Sequence, residues 1–121
     1  MKRTVPKMAP ASNEMKRLAG LIEKEIAGWP GLTTRPMFGV TCLYRGKRIF
    51  AALPRTRTLG GPNSISFRFD PLPAALERRA KADERIRFRH PGARWYSFEL
   101  ISAEELNDAL WWLGQAFEAT R

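Results

Sequence analysis

The chain has 121 residues, a 44% hydrophobic fraction and a formal net charge of +9, a balance that fits one globular domain and excludes a disordered chain. No apolar run approaches the roughly 18 residues of a membrane-spanning helix, and no apolar segment follows the basic start "MKRTVPKMAPASNEMKR", so neither a membrane partner nor a secretory signal is expected. The single cysteine, Cys42, has no internal disulfide partner, which fits a cytoplasmic protein.

Residues 1–11 read as a flexible leader and 12–121 as a single domain. The first helix is expected over residues 12–28. Ser12 or Asn13 caps it and Glu14 suits its positive end. Met15, Leu18, Ile22, Ile26 and Trp29 recur at spacings of three and four and make one buried stripe. Gly28 and then Pro30-Gly31 stop it. Met37 to Arg45 and Arg48 to Leu53 form a hairpin around Gly46-Lys47. Residues 54–63, "PRTRTLGGPN", read as a loop. In "SISFRF", residues 64–69, Ile65, Phe67 and Phe69 alternate with Ser64, Ser66 and Arg68, the pattern of a half-buried strand.

Asp70 is placed to cap a second helix, with Pro71 at its first position, running to about Ala82. "RIRFR", residues 85–89, reads as a strand with Ile86 and Phe88 inside and Arg85, Arg87 and Arg89 outside. "HPGA" turns the chain, and "RWYSFEL", residues 94–100, is another strand. Ser102 and Glu105 form a capping box for the last helix, whose buried stripe is Leu106, Leu110, Leu113 and Phe117. Hairpin-joined strands among three helices predict an α+β domain: an antiparallel sheet of about five strands with helices packed on one face. The other face can then meet water.

Several chemistries lack residues. His90 is the only histidine and Cys42 the only cysteine, so no Cys/His spacing builds a zinc site. A Cys42–His90 pair has nothing but elimination behind it, and Cys42 reads as a small buried hydrophobe. "LGGPN" has neither the lysine nor the spacing of a phosphate loop. Asp83-Glu84 and Glu104-Glu105 sit at element ends, where carboxylates cap. No catalytic, cofactor or metal residues are assigned, and the chain reads as a non-enzyme.

Charge is the informative feature. Residues 31–98 hold 14 of the 21 Lys/Arg and 4 of the 12 Asp/Glu, whereas residues 99–121 hold 1 and 5. Arginine dominates, and its planar fork suits bidentate contact with phosphate or carboxylate. The candidate nucleic-acid-binding set is Arg68, Arg85, Arg87 and Arg89 on the outward face of the sheet, extended by Arg45, Lys47 and Arg48 at the hairpin tip. Three readings of this surface stand: a solvated face that keeps an antiparallel sheet from edge pairing, a surface for DNA or RNA, or a contact for an acidic protein or an identical subunit. Of the four tryptophans, Trp29, Trp95 and one of Trp111 and Trp112 are expected in the core.

The stretch "WPGLTTRPMFGVTCLYRGKRIFAAL" resembles the start of the TfoX N-terminal domain family, through Arg35, Met37, Phe38, Gly39, Leu43, Tyr44, Gly46, Phe50 and Ala51. "WYSFELISAEELNDALWWLGQAFEA" is similar to that family's closing strand and helix. Val40 stands where the family has a second glycine. His90, Trp95 and Phe98 stand where a luciferase-domain family of unknown function has its histidine turn and aromatic strand, and YjbR-like domains share the same scaffold. The resemblance implies a small α+β fold and a regulatory or binding module. The alternative is a protein-interaction or homodimerisation domain with no nucleic-acid binding.

Overall fold

The computed structural model describes residues 9–59, 61, 63–88 and 94–120. Its first helix, α1 (Asn13–Ile26), starts where Ser12 Oγ accepts a bond from the Met15 N–H at 3.0 Å. Glu14 in the first turn and Lys24 in the last complement the helix dipole. Its buried side chains are Met15, Leu18, Ala19, Ile22 and Ile26, while Trp29, the fifth member of the predicted stripe, lies past the helix end and packs half-buried against the same core.

The strands are β1 (Ala9–Pro10), β2 (Leu32–Met37), β3 (Val40–Arg45), β4 (Arg48–Pro54), β5 (Arg57–Thr58), β6 (Ser64–Arg68), β7 (Ile86–Phe88) and β8 (Trp95–Glu99). Six of them form one antiparallel sheet in the order β2-β3-β4-β6-β8-β7, while β1 and β5 pair separately. The expectation of about five strands is corrected to six. Residues 37–45 are not one strand, because Phe38 and Gly39 turn the chain between β2 and β3. Strand β2 has no alternating apolar pattern to read: it is an edge, five of its six residues are exposed, and Pro36 lies in it. An edge strand tolerates proline, whose missing N–H a central strand would need. Ala9 and Pro10 pair with Thr58 and Arg57 ahead of the helix start, and the Ala11 N–H donates to the Thr56 carbonyl at 2.9 Å.

Two helix starts differ from the sequence pattern. Helix α2 (Ala74–Ala82) begins after Pro73, with no side-chain cap. Asp70 is instead occupied by arginines, Arg68 Nη2 at 3.0 Å and Arg94 Nε at 3.0 Å. Helix α3 (Leu106–Ala119) follows a single 3-10 turn at Ala103–Glu105, and the Ser102 hydroxyl makes no cap bond. Glu105 does reach back, but it accepts from the Ile101 N–H at 2.9 Å. Arg89 and the "HPGA" turn with His90 lie outside the described residues.

One core joins the three helices to one face of the sheet, through Leu43, Phe50, Ala51, Leu53, Ile65, Phe67, Phe69, Ile86 and Phe98. Trp112 of α3 is fully buried and stacks on Phe67, with ring centroids 5.7 Å apart and planes 6° apart. Burial of each such side chain contributes about 1.5–3 kcal/mol. The β3–β4 register shifts between Leu43 and Tyr44. This bulge lets neighbours Phe50 and Ala51 both enter the helix-side core. A second, smaller cluster of Val40, Cys42 and Ala52, packed by Tyr44 and Ile49, contains no helical residue. It marks the opposite face of the sheet.

Candidate nucleic-acid interface

The register fixes which side chains share that helix-free face. Arg35 pairs with Cys42, Cys42 with Ala52, Ala52 with Ser66, Ser66 with Ser97, and Ser97 with Arg87. Cross-strand partners project to the same side. One row therefore crosses the whole sheet with an arginine at each end and four small residues between. The ends are five strand spacings apart, on the order of 24 Å. Ser66 is only 4% exposed. The sequence pattern predicts the Ser face of β6 to be wet, but a serine in an inner strand is too short to rise above its neighbours.

The adjacent row carries aromatic and basic groups. Arg68 pairs with Trp95, so Trp95 is on the helix-free face and not in the core as expected. Tyr44 pairs with Thr33 and Ile49, and the Arg35 guanidinium lies 5.7 Å from its ring centroid. Trp29, by contrast, packs against the helix-side core, and Trp112 is fully inside it. Among the described strand residues the register places one carboxylate, Glu99, on the helix-free face, opposite Ser64, and Asp70 just past β6 bonds Arg68 of that face at 3.0 Å.

The structure separates the predicted basic residues into three groups. Arg68 and Arg87 are on the helix-free face, and Arg87 is exposed with no carboxylate partner among the described residues. Arg45, Lys47 and Arg48 are at the β3–β4 turn. There Arg45 is held, donating to the Phe117 carbonyl at 2.8 Å and lying 4.3 Å over the Phe117 ring. This is a cation at a helix C-terminus, where the dipole favours it. Lys47 and Arg48 are exposed. Arg85 does not join the wet face. It donates to Asp83 at 2.9 Å, Asp108 at 3.0 Å and Glu105 at 3.4 Å, and its guanidinium sits 4.7 Å from the buried Phe98 ring. Arg89 lies outside the described residues.

Arg85 thus clasps α2 to α3. Its hydrogen bonds to Asp83 hold that carboxyl below the usual carboxylate range, against the opposing effect of burial. The same bonds, with those to Asp108, raise the guanidinium pKa further. The carboxylates at positions 83 and 105, read as caps in sequence, are spent on this clasp. Cys42 is buried, and burial pushes its thiol pKa up. A raised pKa leaves less thiolate at neutral pH, the opposite of an activated nucleophile.

Sequence reasoning missed Arg35 because β2 went unrecognised, and it missed Arg55, which the 54–63 loop assignment hid. Both are exposed without a carboxylate partner among the described residues. The signal that could have found Arg35 is "FG" between two extended runs, a two-residue hairpin loop. No protein-family model, curated protein or solved structure matches the chain.

Proposed function

We propose that the protein is a non-catalytic nucleic-acid-binding module that lays the sugar–phosphate backbone across its helix-free sheet face. The observation that carries this reading is the row from Arg35 to Arg87: two arginines with no carboxylate partner among the described residues and a floor of Cys42, Ala52, Ser66 and Ser97 between them. Small floor residues let a bulky ligand approach the sheet, and guanidinium groups at both ends meet phosphates. A span on the order of 24 Å exceeds a single nucleotide step, so the two ends of the row meet different phosphates. Trp95 and Tyr44 on the same face offer ring surfaces on which bases stack, while Arg68, paired with Trp95 across the ladder, is already bonded to Asp70 at 3.0 Å and adds only to the field. Lys47 and Arg48 at the hairpin tip, and Arg45 and Arg85 with their head groups already bonded, contribute at most to the long-range field, because phosphate contact needs a free head group on the contacting face. The resemblance to the TfoX N-terminal domain supports the same class, a regulatory or binding module.

The test is fluorescence anisotropy of a labelled random duplex and a labelled single strand at about 50 and 200 mM salt. Neutralising the two phosphates that Arg35 and Arg87 would hold gives a log–log slope of about −1.8 on duplex and a loss of roughly tenfold over that range. Absence of binding at the lower salt overturns the reading and leaves the face as solvated surface. A dimer in light scattering that forms without nucleic acid favours the protein-interaction reading instead.

A further inference from the structure

We infer that the β2–β3 turn is a stacking probe for an unpaired base, with Phe38 as the ring that makes the contact; this rests on the nucleic-acid reading above and names the form of nucleic acid preferred. Phe38 is 80% exposed and its neighbour Met37 is 42% exposed. An isolated exposed apolar residue needs no explanation. Here, however, exposure coincides with a backbone that a phenylalanine disfavours. Phe38 has φ 52° and Gly39 φ 84°. Positive φ at both central positions is the I′ hairpin pattern, which Asn-Gly serves best. An aromatic residue in the left-handed region costs about 1–2 kcal/mol. Nothing in the fold returns that cost, since the ring is in solvent.

The turn is also held in place. The Gly39 carbonyl accepts the N–H groups of Arg55 at 3.1 Å, Thr56 at 2.9 Å and Arg57 at 2.9 Å. A Cβ built on Gly39 would lie 2.6 Å from Arg57 Cγ and 2.9 Å from Thr56 Oγ1. The 55–57 segment therefore wraps the glycine and anchors the backbone that carries Phe38. A ring presented on a fixed backbone loses little entropy on contact, which is the condition for efficient stacking. The surroundings select the partner. Arg57 packs against the turn, Arg55 is exposed beside it, and Arg35 is two residues before Met37 on the same strand. An exposed ring among arginines complements a base attached to a phosphate backbone, whereas an apolar protein patch would gain nothing from the charge. In duplex DNA the base faces are already stacked, so the partner is single-stranded or locally unpaired.

The experiment compares wild type, Phe38→Ala and Phe38→Trp by anisotropy with labelled oligo(dT) and with a blunt duplex. Thermal unfolding confirms that each variant is folded. Phe38→Ala is expected to weaken oligo(dT) binding by about tenfold or more, to leave duplex binding within about twofold, and to leave the salt slope unchanged; Phe38→Trp keeps wild-type affinity. If wild type binds neither ligand at low salt, the nucleic-acid reading itself fails. If wild type binds but Phe38→Ala binds oligo(dT) equally well, the stacking inference alone fails. Equal losses on single strand and duplex overturn it too, as does a wild-type dimer that Phe38→Ala converts to monomer.

Discussion

Arg85 and Arg87 stand two residues apart at the same edge of the sheet, and they are placed in opposite ways. Arg85 turns toward the helices and is bonded to three carboxylates, Asp83, Glu105 and Asp108. Arg87 stays on the helix-free face with no carboxylate partner among the described residues. The same division runs through the molecule: Arg45 is tied to the end of α3, while Arg35 is not tied to any carboxylate among the described residues. Net charge is therefore a poor guide to a binding surface. What counts is which cations the fold has already spent and which it leaves on a face that a ligand can reach.

The largest effect expected from breaking this division is at Arg85. Arg85→Met leaves three carboxylates facing one another without their cation, and a loss of about 1.5–3 kcal/mol in urea unfolding is expected. Arg87→Met changes stability by no more than about 0.5 kcal/mol. The order inverts for binding. Arg87→Met lowers affinity and reduces the salt slope by about one phosphate, while Arg85→Met, once shown to be folded, keeps the wild-type slope.

Gly39→Ala comes next, with a loss of about 1–3 kcal/mol, because the new Cβ meets Arg57 Cγ at 2.6 Å on a backbone with φ 84°. A smaller effect is the pH dependence of the clasp. Asp83 has its folded pKa depressed by Arg85. Its contribution is therefore fully present above the unfolded value of about 3.9 and fades as pH falls through the lower folded value. Asp83→Asn should flatten the acid limb of a stability–pH curve below about pH 4; an unchanged limb would show that the clasp does not couple to folding. The smallest expected change is a gain. Phe38→Asn fits the left-handed turn and should stabilise by about 0.5–1 kcal/mol while weakening oligo(dT) binding. Greater stability with unchanged binding would separate the turn's strain from function.

The helices and inner strands were legible because burial there is one-sided and periodic. Met15, Leu18, Ile22 and Ile26 repeat at helical spacing, and Ile65 and Phe67 alternate along a strand. Strand β2 was illegible for the complementary reason: as an exposed edge containing Pro36 it has no apolar period. The candidate face is legible in its charge and only partly in which residues reach it. Arg68 and Arg87 were read onto the correct face. Alternation alone places Arg85 there too, but β7 begins at Ile86, and a residue just outside a strand is free of its alternation. The carboxylates that capture it come from Glu105 and Asp108, far along the chain and visible only once α3 is packed. Hydrophobicity alone points Trp95 inward, although its register with Arg68 puts it on the helix-free face.

The most direct test of the central claim is the salt dependence of duplex binding by the Arg35→Ala/Arg87→Ala double variant beside wild type. If the two ends of the row each hold a phosphate, the log–log slope becomes shallower by about two and affinity at low salt falls. A double variant that keeps the wild-type slope and affinity contradicts the account, because the row would then be a solvated surface and the binding, if any, would lie elsewhere.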